Sequence, residues 1–134
     1  QGRENREVYD KLFISIDNIR SQAKIKLIDK EKLRFRVDVT LDSRLLETTE
    51  PLDLTTTKNI KFIEKKINKE MEKQIKQLLE YFKKKQVDPV GIGNEYMANL
   101  RKKPLSKQEW KELYKDVKFE VHVNNTIVKT GVID

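Results

Sequence analysis

The sequence predicts an α+β fold in which an antiparallel sheet packs against one long helix, with short helices before the last strand. Three patterns carry that expectation. Two early stretches alternate apolar and polar residues on either side of a charged turn, Asp29-Lys30-Glu31-Lys32. Apolar residues then recur at helical spacing from Ile60 to Phe82. A last alternating stretch runs from Val117 to Val123. A strand-rich beginning, a helical middle and a returning strand make an α+β domain.

Each element follows from side-chain spacing. Leu12 to Ile16 is a short β-type run, and Ala23, Ile25 and Leu27 alternate with Lys24 and Lys26 before the turn. After it, Leu33, Phe35, Val37, Val39 and Leu41 alternate with Arg34, Arg36, Asp38 and Thr40. This is a hairpin with one buried and one wet face. Leu54 to Asn59 offers several N-cap oxygens. Beyond it Ile60, Ile63, Ile67, Met71, Ile75, Leu78, Leu79 and Phe82 form one apolar stripe on a helix of about seven turns. Asp88-Pro89 stops that helix, because a residue before proline is pushed out of the helical region. Gly91 and Gly93 permit a tight reversal, and Asn94 is placed to cap a short helix through about Arg101. Pro104 breaks the chain again, and Ser106-Lys107-Gln108-Glu109 is a capping box for a helix carrying Trp110 and Leu113. Residues 1–10 are almost wholly polar and read as a linker or fragment start, ahead of one α+β domain over 11–134.

Composition narrows the function. The chain has 134 residues, enough to bury roughly two thirds of its unfolded surface. Lys and Arg number 29 against 22 Asp and Glu, a net charge of +7, which favours anionic partners. The absence of cysteine removes disulfides, Cys-based zinc sites and thiol catalysis. No apolar run reaches the roughly 20 residues that span a bilayer. From Lys58 to Gln86 ten Lys stand against four Glu, so nearly all the excess charge rides on the long helix. Two basic surfaces emerge: Lys61, Lys65, Lys69, Lys73 and Lys76 on the helix, and Lys24, Lys26, Arg34 and Arg36 on the wet face of the hairpin.

Catalytic and metal-binding motifs find no support. His122 is the single histidine, placed on the polar face of a strand, where it has no second histidine to complete a metal site or triad. Gly91-Ile92-Gly93 follows a helix C-terminus, whose negative dipole end repels phosphate, so it reads as a turn and not a phosphate loop. Asp38, Glu47, Asp53 and Asp88 are too scattered for a general acid/base pair. Asn124-Asn125-Thr126 matches a glycosylation sequon, a pattern common by chance. RNA-binding sheets interleave aromatics with their charges, whereas Phe35 and Phe119 belong to the apolar faces here. A basic nucleic-acid-binding module is therefore the weaker alternative to attraction by anionic lipid or an acidic protein.

In chain order these pieces resemble the C-terminal domain of the Ger(x)C family, the C subunit of spore germinant receptors. The resemblance rests on the hairpin ending near Leu45-Leu46-Glu47, the helix Ile60 to Lys85, and Val87-Asp88-Pro89-Val90-Gly91-Ile92-Gly93. It continues through the Trp110 segment and Val117 to Val123, leading to Thr130-Gly131. Ile92 stands where family members commonly carry an aromatic between the two glycines. The resemblance implies a lipoprotein of endospore-forming bacteria, tethered to the outer face of the spore inner membrane and working with membrane-embedded receptor subunits. It implies further domains and a lipidated cysteine upstream, no cofactor and no catalytic residue.

Overall fold

A computed structural model describes residues 14–48, 56–100 and 103–128, the side chains of 14, 15 and 45–48 excepted. Strands β1 (Ile14–Asp29) and β2 (Arg34–Thr48) form the expected hairpin. Helix α1 (Thr57–Lys84) follows, then short helices α2 (Ile92–Ala98) and α3 (Lys107–Tyr114), and strand β3 (Lys118–Ile127). Among the described residues the sheet has three strands in the order β1-β2-β3. The expected α+β class and single long helix are both present. Leu12, Phe13, Leu54, Thr55, Arg101, Thr130 and Gly131 lie outside the described residues.

The last strand changes the character of the sheet. Lys118 N donates to Leu33 O, and Val128 N donates to Ser43 O. Both strands therefore advance in the same direction, and β3 joins β2 in parallel. The antiparallel expectation holds for the hairpin, while the whole sheet is mixed. A parallel neighbour needs a long crossover, which α1 to α3 supply. β3 also runs further than the Val117–Val123 alternation, through Ile127.

By contact the described residues fall into two compact units: 14–22, 40–48, 56–68 and 124–128 in the first, and 23–39, 69–100 and 103–123 in the second. In the first, Leu41, Ile60, Ile63, Ile67 and Ile127 are buried. Two polar side chains join them, with Ser43 Oγ donating to Asn125 Oδ1 at 2.6 Å. In the second unit, Leu33, Phe35 and Val37 pack with Leu79, Ile92, Tyr96, Trp110, Tyr114, Val117 and Phe119. Trp110 stacks between Tyr96 and Tyr114, both at 5.5 Å between ring centroids.

Leu78 departs from the expected stripe. It is 51% exposed while Leu79 is 4% exposed. Each four-residue step overshoots the 3.6-residue turn by about 40°, so Ile63, Ile67, Met71, Ile75 and Leu79 follow one drifting line, and Leu78 falls off it. The helix also ends earlier than Asp88-Pro89. Val87 N bonds Phe82 O, Gln86 N bonds Lys83 O, and Gln86 has φ 59°. That is a Schellman ending with glutamine in the left-handed position usually held by glycine.

Candidate docking surface

The Asp88-to-Gly93 segment also departs from the sequence expectation. α2 starts at Ile92 with Gly91 as N-cap at φ 81°, so the two glycines open a helix as well as follow one. Asn94 lies within the first turn of α2 and is not its cap. Asp88 does that work: Oδ1 accepts from Ile92 N at 2.8 Å and Oδ2 from Gly93 N at 2.7 Å. A carboxylate supplied by the chain itself occupies the positive end of the helix. The amides it takes are those that an anion bound at this helix end would otherwise contact. α2 ends at Ala98, short of the expected Arg101.

The aromatic column depends on this segment. A Cβ on Gly93 would lie 2.8 Å from Trp110 Nε1 and 2.9 Å from Cε2. Tyr114 donates its hydroxyl to Val87 O at 2.6 Å. Burial first, and then the carboxylates of Asp88 and Glu80, push its pKa up to about 12. On α3 the capping box forms as the sequence indicates, Ser106 Oγ accepting from Glu109 N at 3.1 Å and Glu109 Oε1 from Ser106 N at 2.9 Å. Those bonds hold the Glu109 carboxyl below its ordinary value.

Sequence reasoning missed the polar side chains that secure β3. Because Lys118 and Val128 donate towards β2, alternate amides between them point the other way. In the second unit Val123 N donates to Glu72 Oε2 at 2.9 Å. In the first, Asn125 N donates to Asn68 Oδ1 and Ile127 N to Glu64 Oε2, both at 2.8 Å. Acceptors four apart on α1 meet donors two apart on β3, shielding amides that an open strand edge would expose. The signal was present as a polar line at 64, 68 and 72, each one residue past an apolar stripe position. It was indistinguishable from solvated charge.

The lysines and arginines of the two expected basic surfaces differ in availability. In the first unit Lys61 and Lys65 are exposed, and in the second Lys69, Lys73 and Lys76 are. Lys24 and Lys26 are exposed too. Arg34, however, pairs with Glu120 at 3.0 Å and Arg36 with Asp38 at 3.1 Å. Each arginine thus spends its charge on a neighbouring carboxylate. The Arg34 contact, with one from His122, keeps the Glu120 carboxyl below its ordinary value. An open cleft of about 630 Å³ in the second unit is lined by Lys32, Lys83, Lys115 and Lys118, with Glu31 and Asp116 among them. Lys83 there is already committed, donating to Val117 O at 2.8 Å and pairing with Glu80 at 2.9 Å. Among the described residues no cluster of His, Asp and Glu could hold a metal ion, and no helix is long and apolar enough to cross a membrane.

Residues 2–131 match the family model described as spore germination B3/GerAC-like, C-terminal. The chain belongs to this family. Among curated proteins, the spore germination protein GerQC of Bacillus cereus is 31% identical over 123 residues, covering 91% of this chain. The chain spans 34% of the length of that relative. Among solved structures, the crystal structure of the GerBC protein matches with a TM-score of 0.67 at 18% identity. That match covers 88% of this chain and 40% of the GerBC chain, and shows that the two share a fold.

Proposed function

We propose that this chain is the C-terminal module of a germinant receptor C subunit and serves nutrient-triggered spore germination as a non-catalytic docking element. Its partners are the other receptor subunits and the anionic membrane surface beside them. On this reading it works at the outer face of the spore inner membrane, in a lipid-anchored protein. Family membership supports the germination role. The observation that carries docking is the line of exposed lysines on α1, Lys61, Lys65, Lys69, Lys73 and Lys76, set on a helix whose other face is buried. Each lysine near an anionic surface contributes about 1 kcal/mol, an attraction that salt weakens. The shifted ionisable groups have structural partners: Glu109 caps a helix, Glu120 holds Arg34, and Tyr114 bonds a backbone carbonyl.

The test is germination of spores lacking the gene, challenged with nutrients and separately with a trigger that bypasses receptors. A defect confined to nutrients is expected. Normal nutrient germination in a strain without a redundant paralogue would overturn the proposal.

A further inference from the structure

Part of the surface of the second unit is apolar without being used by its own packing. Leu78 and Tyr81 are 51% and 54% exposed, and Val87 and Val90 are 47% and 44% exposed. Leu78 and Tyr81 are three residues apart on α1 and so share a face. The Schellman bond from Val87 N to Phe82 O folds Val87 back against the end of that helix. Four large apolar side chains within thirteen residues exceed the singly scattered exposure that needs no explanation.

The charges around them that lack an internal partner are basic. Lys84 and Lys85 follow Tyr81 by three and four residues, and Lys85 Nζ lies 5.8 Å from the centre of the Tyr81 ring. The two acids of the segment are spent internally, Glu80 on Lys83 and Asp88 on the α2 amides. No arginine occurs in α1. Protein interface hot spots favour arginine with its planar fork, whereas a lipid headgroup layer accepts flexible point charges beside a shallow apolar patch.

We infer that Leu78, Tyr81, Val87 and Val90, with Lys84 and Lys85, form a membrane-contact patch that inserts shallowly among anionic phospholipid headgroups. This rests on the docking proposal and locates its lipid contact at the end of α1. Tyrosine suits the interface because its ring is apolar and its hydroxyl stays wet.

The test is cosedimentation of the whole chain with vesicles of phosphatidylcholine, with and without phosphatidylglycerol. Binding is expected only to the anionic vesicles. Leu78→Ser/Tyr81→Ser is expected to lower it more than tenfold, and Lys84→Gln/Lys85→Gln by roughly 25-fold, about fivefold per lysine. Lys107→Gln/Lys111→Gln, at exposed positions of α3 outside both the docking line and the patch, should leave it within about twofold. Circular dichroism checks that each variant folds, as expected for exposed positions. No binding to anionic vesicles would overturn the inference. So would equal losses from both lysine pairs with none from Leu78→Ser/Tyr81→Ser, or engagement of an acidic receptor segment instead of vesicles. A nutrient-specific germination defect in the deletion strain would leave the proposed germination role standing in any of those cases.

Discussion

Gly93→Ala tests whether the aromatic column truly needs a missing side chain. The new Cβ would meet Trp110 Nε1 at 2.8 Å, Cε2 at 2.9 Å and Asp88 Oδ2 at 3.2 Å. Non-bonded carbon contacts are optimal near ~3.5–4.0 Å, so the overlap is close to an ångström. Trp110 cannot easily yield, being 9% exposed and stacked on Tyr96 and Tyr114. Asp88 can yield only by loosening its bonds to Ile92 N and Gly93 N. Overpacking of this kind costs about 1–3 kcal/mol. Opposing it, alanine gains up to about 1 kcal/mol over glycine inside a helix, and less in a first turn. The net expectation is a loss of about 1–2 kcal/mol, or roughly 3–8 °C in Tm at this chain length. Thermal unfolding followed by circular dichroism measures it, and the emission of Trp110, the single tryptophan, reports whether the column shifts. An unchanged or raised Tm with unchanged emission would refute the reasoning.

Three further outcomes follow from the same region. Asp88→Ala removes both acceptors at the start of α2 and should cost about 1–2 kcal/mol in urea unfolding, with Asp88→Asn losing less. Gln86→Gly should raise stability by up to about 1 kcal/mol, because φ 59° strains any residue with a Cβ; a lower urea midpoint would contradict the Schellman assignment. Tyr114 is raised from an ordinary 10.0 to about 12 in the folded chain. Its contribution is therefore fully present below pH 10 and is lost as pH rises towards 12, since the unfolded chain ionises first. Urea midpoints across that window should fall more steeply for the wild type than for Tyr114→Phe.

What the sequence made legible was local or periodic. The Ser106–Glu109 box needs four consecutive residues, and it forms as read. The hairpin and the α1 stripe rest on repeated spacing, which survives small errors. Leu78 was misjudged because adjacent leucines both satisfy a three-or-four step, and only the drift of the stripe separates them. The parallel pairing of β3 was hidden because alternation fixes which face is buried but not strand direction. Asp88 was read as a stop signal because a seven-residue helix starting at Ile92 has too little periodicity to announce itself. Of the candidate surfaces, the exposure of the lysines was legible from the helical pattern. The capture of Arg34 and Arg36 was harder: Glu120 lies 86 residues from Arg34, and Asp38, though two residues from Arg36, was read only as another wet-face side chain. Asn125 looked like part of a sequon, yet it faces inward to Ser43.

The most direct measurement is nutrient germination of a deletion strain complemented with the gene carrying glutamine at Lys61, Lys65, Lys69, Lys73 and Lys76. Immunoblotting would show that the variant reaches wild-type abundance. The account predicts slowed germination with nutrients and a normal response to a trigger that bypasses receptors. Full nutrient germination with that variant would contradict the claim that this basic surface docks the subunit in its receptor.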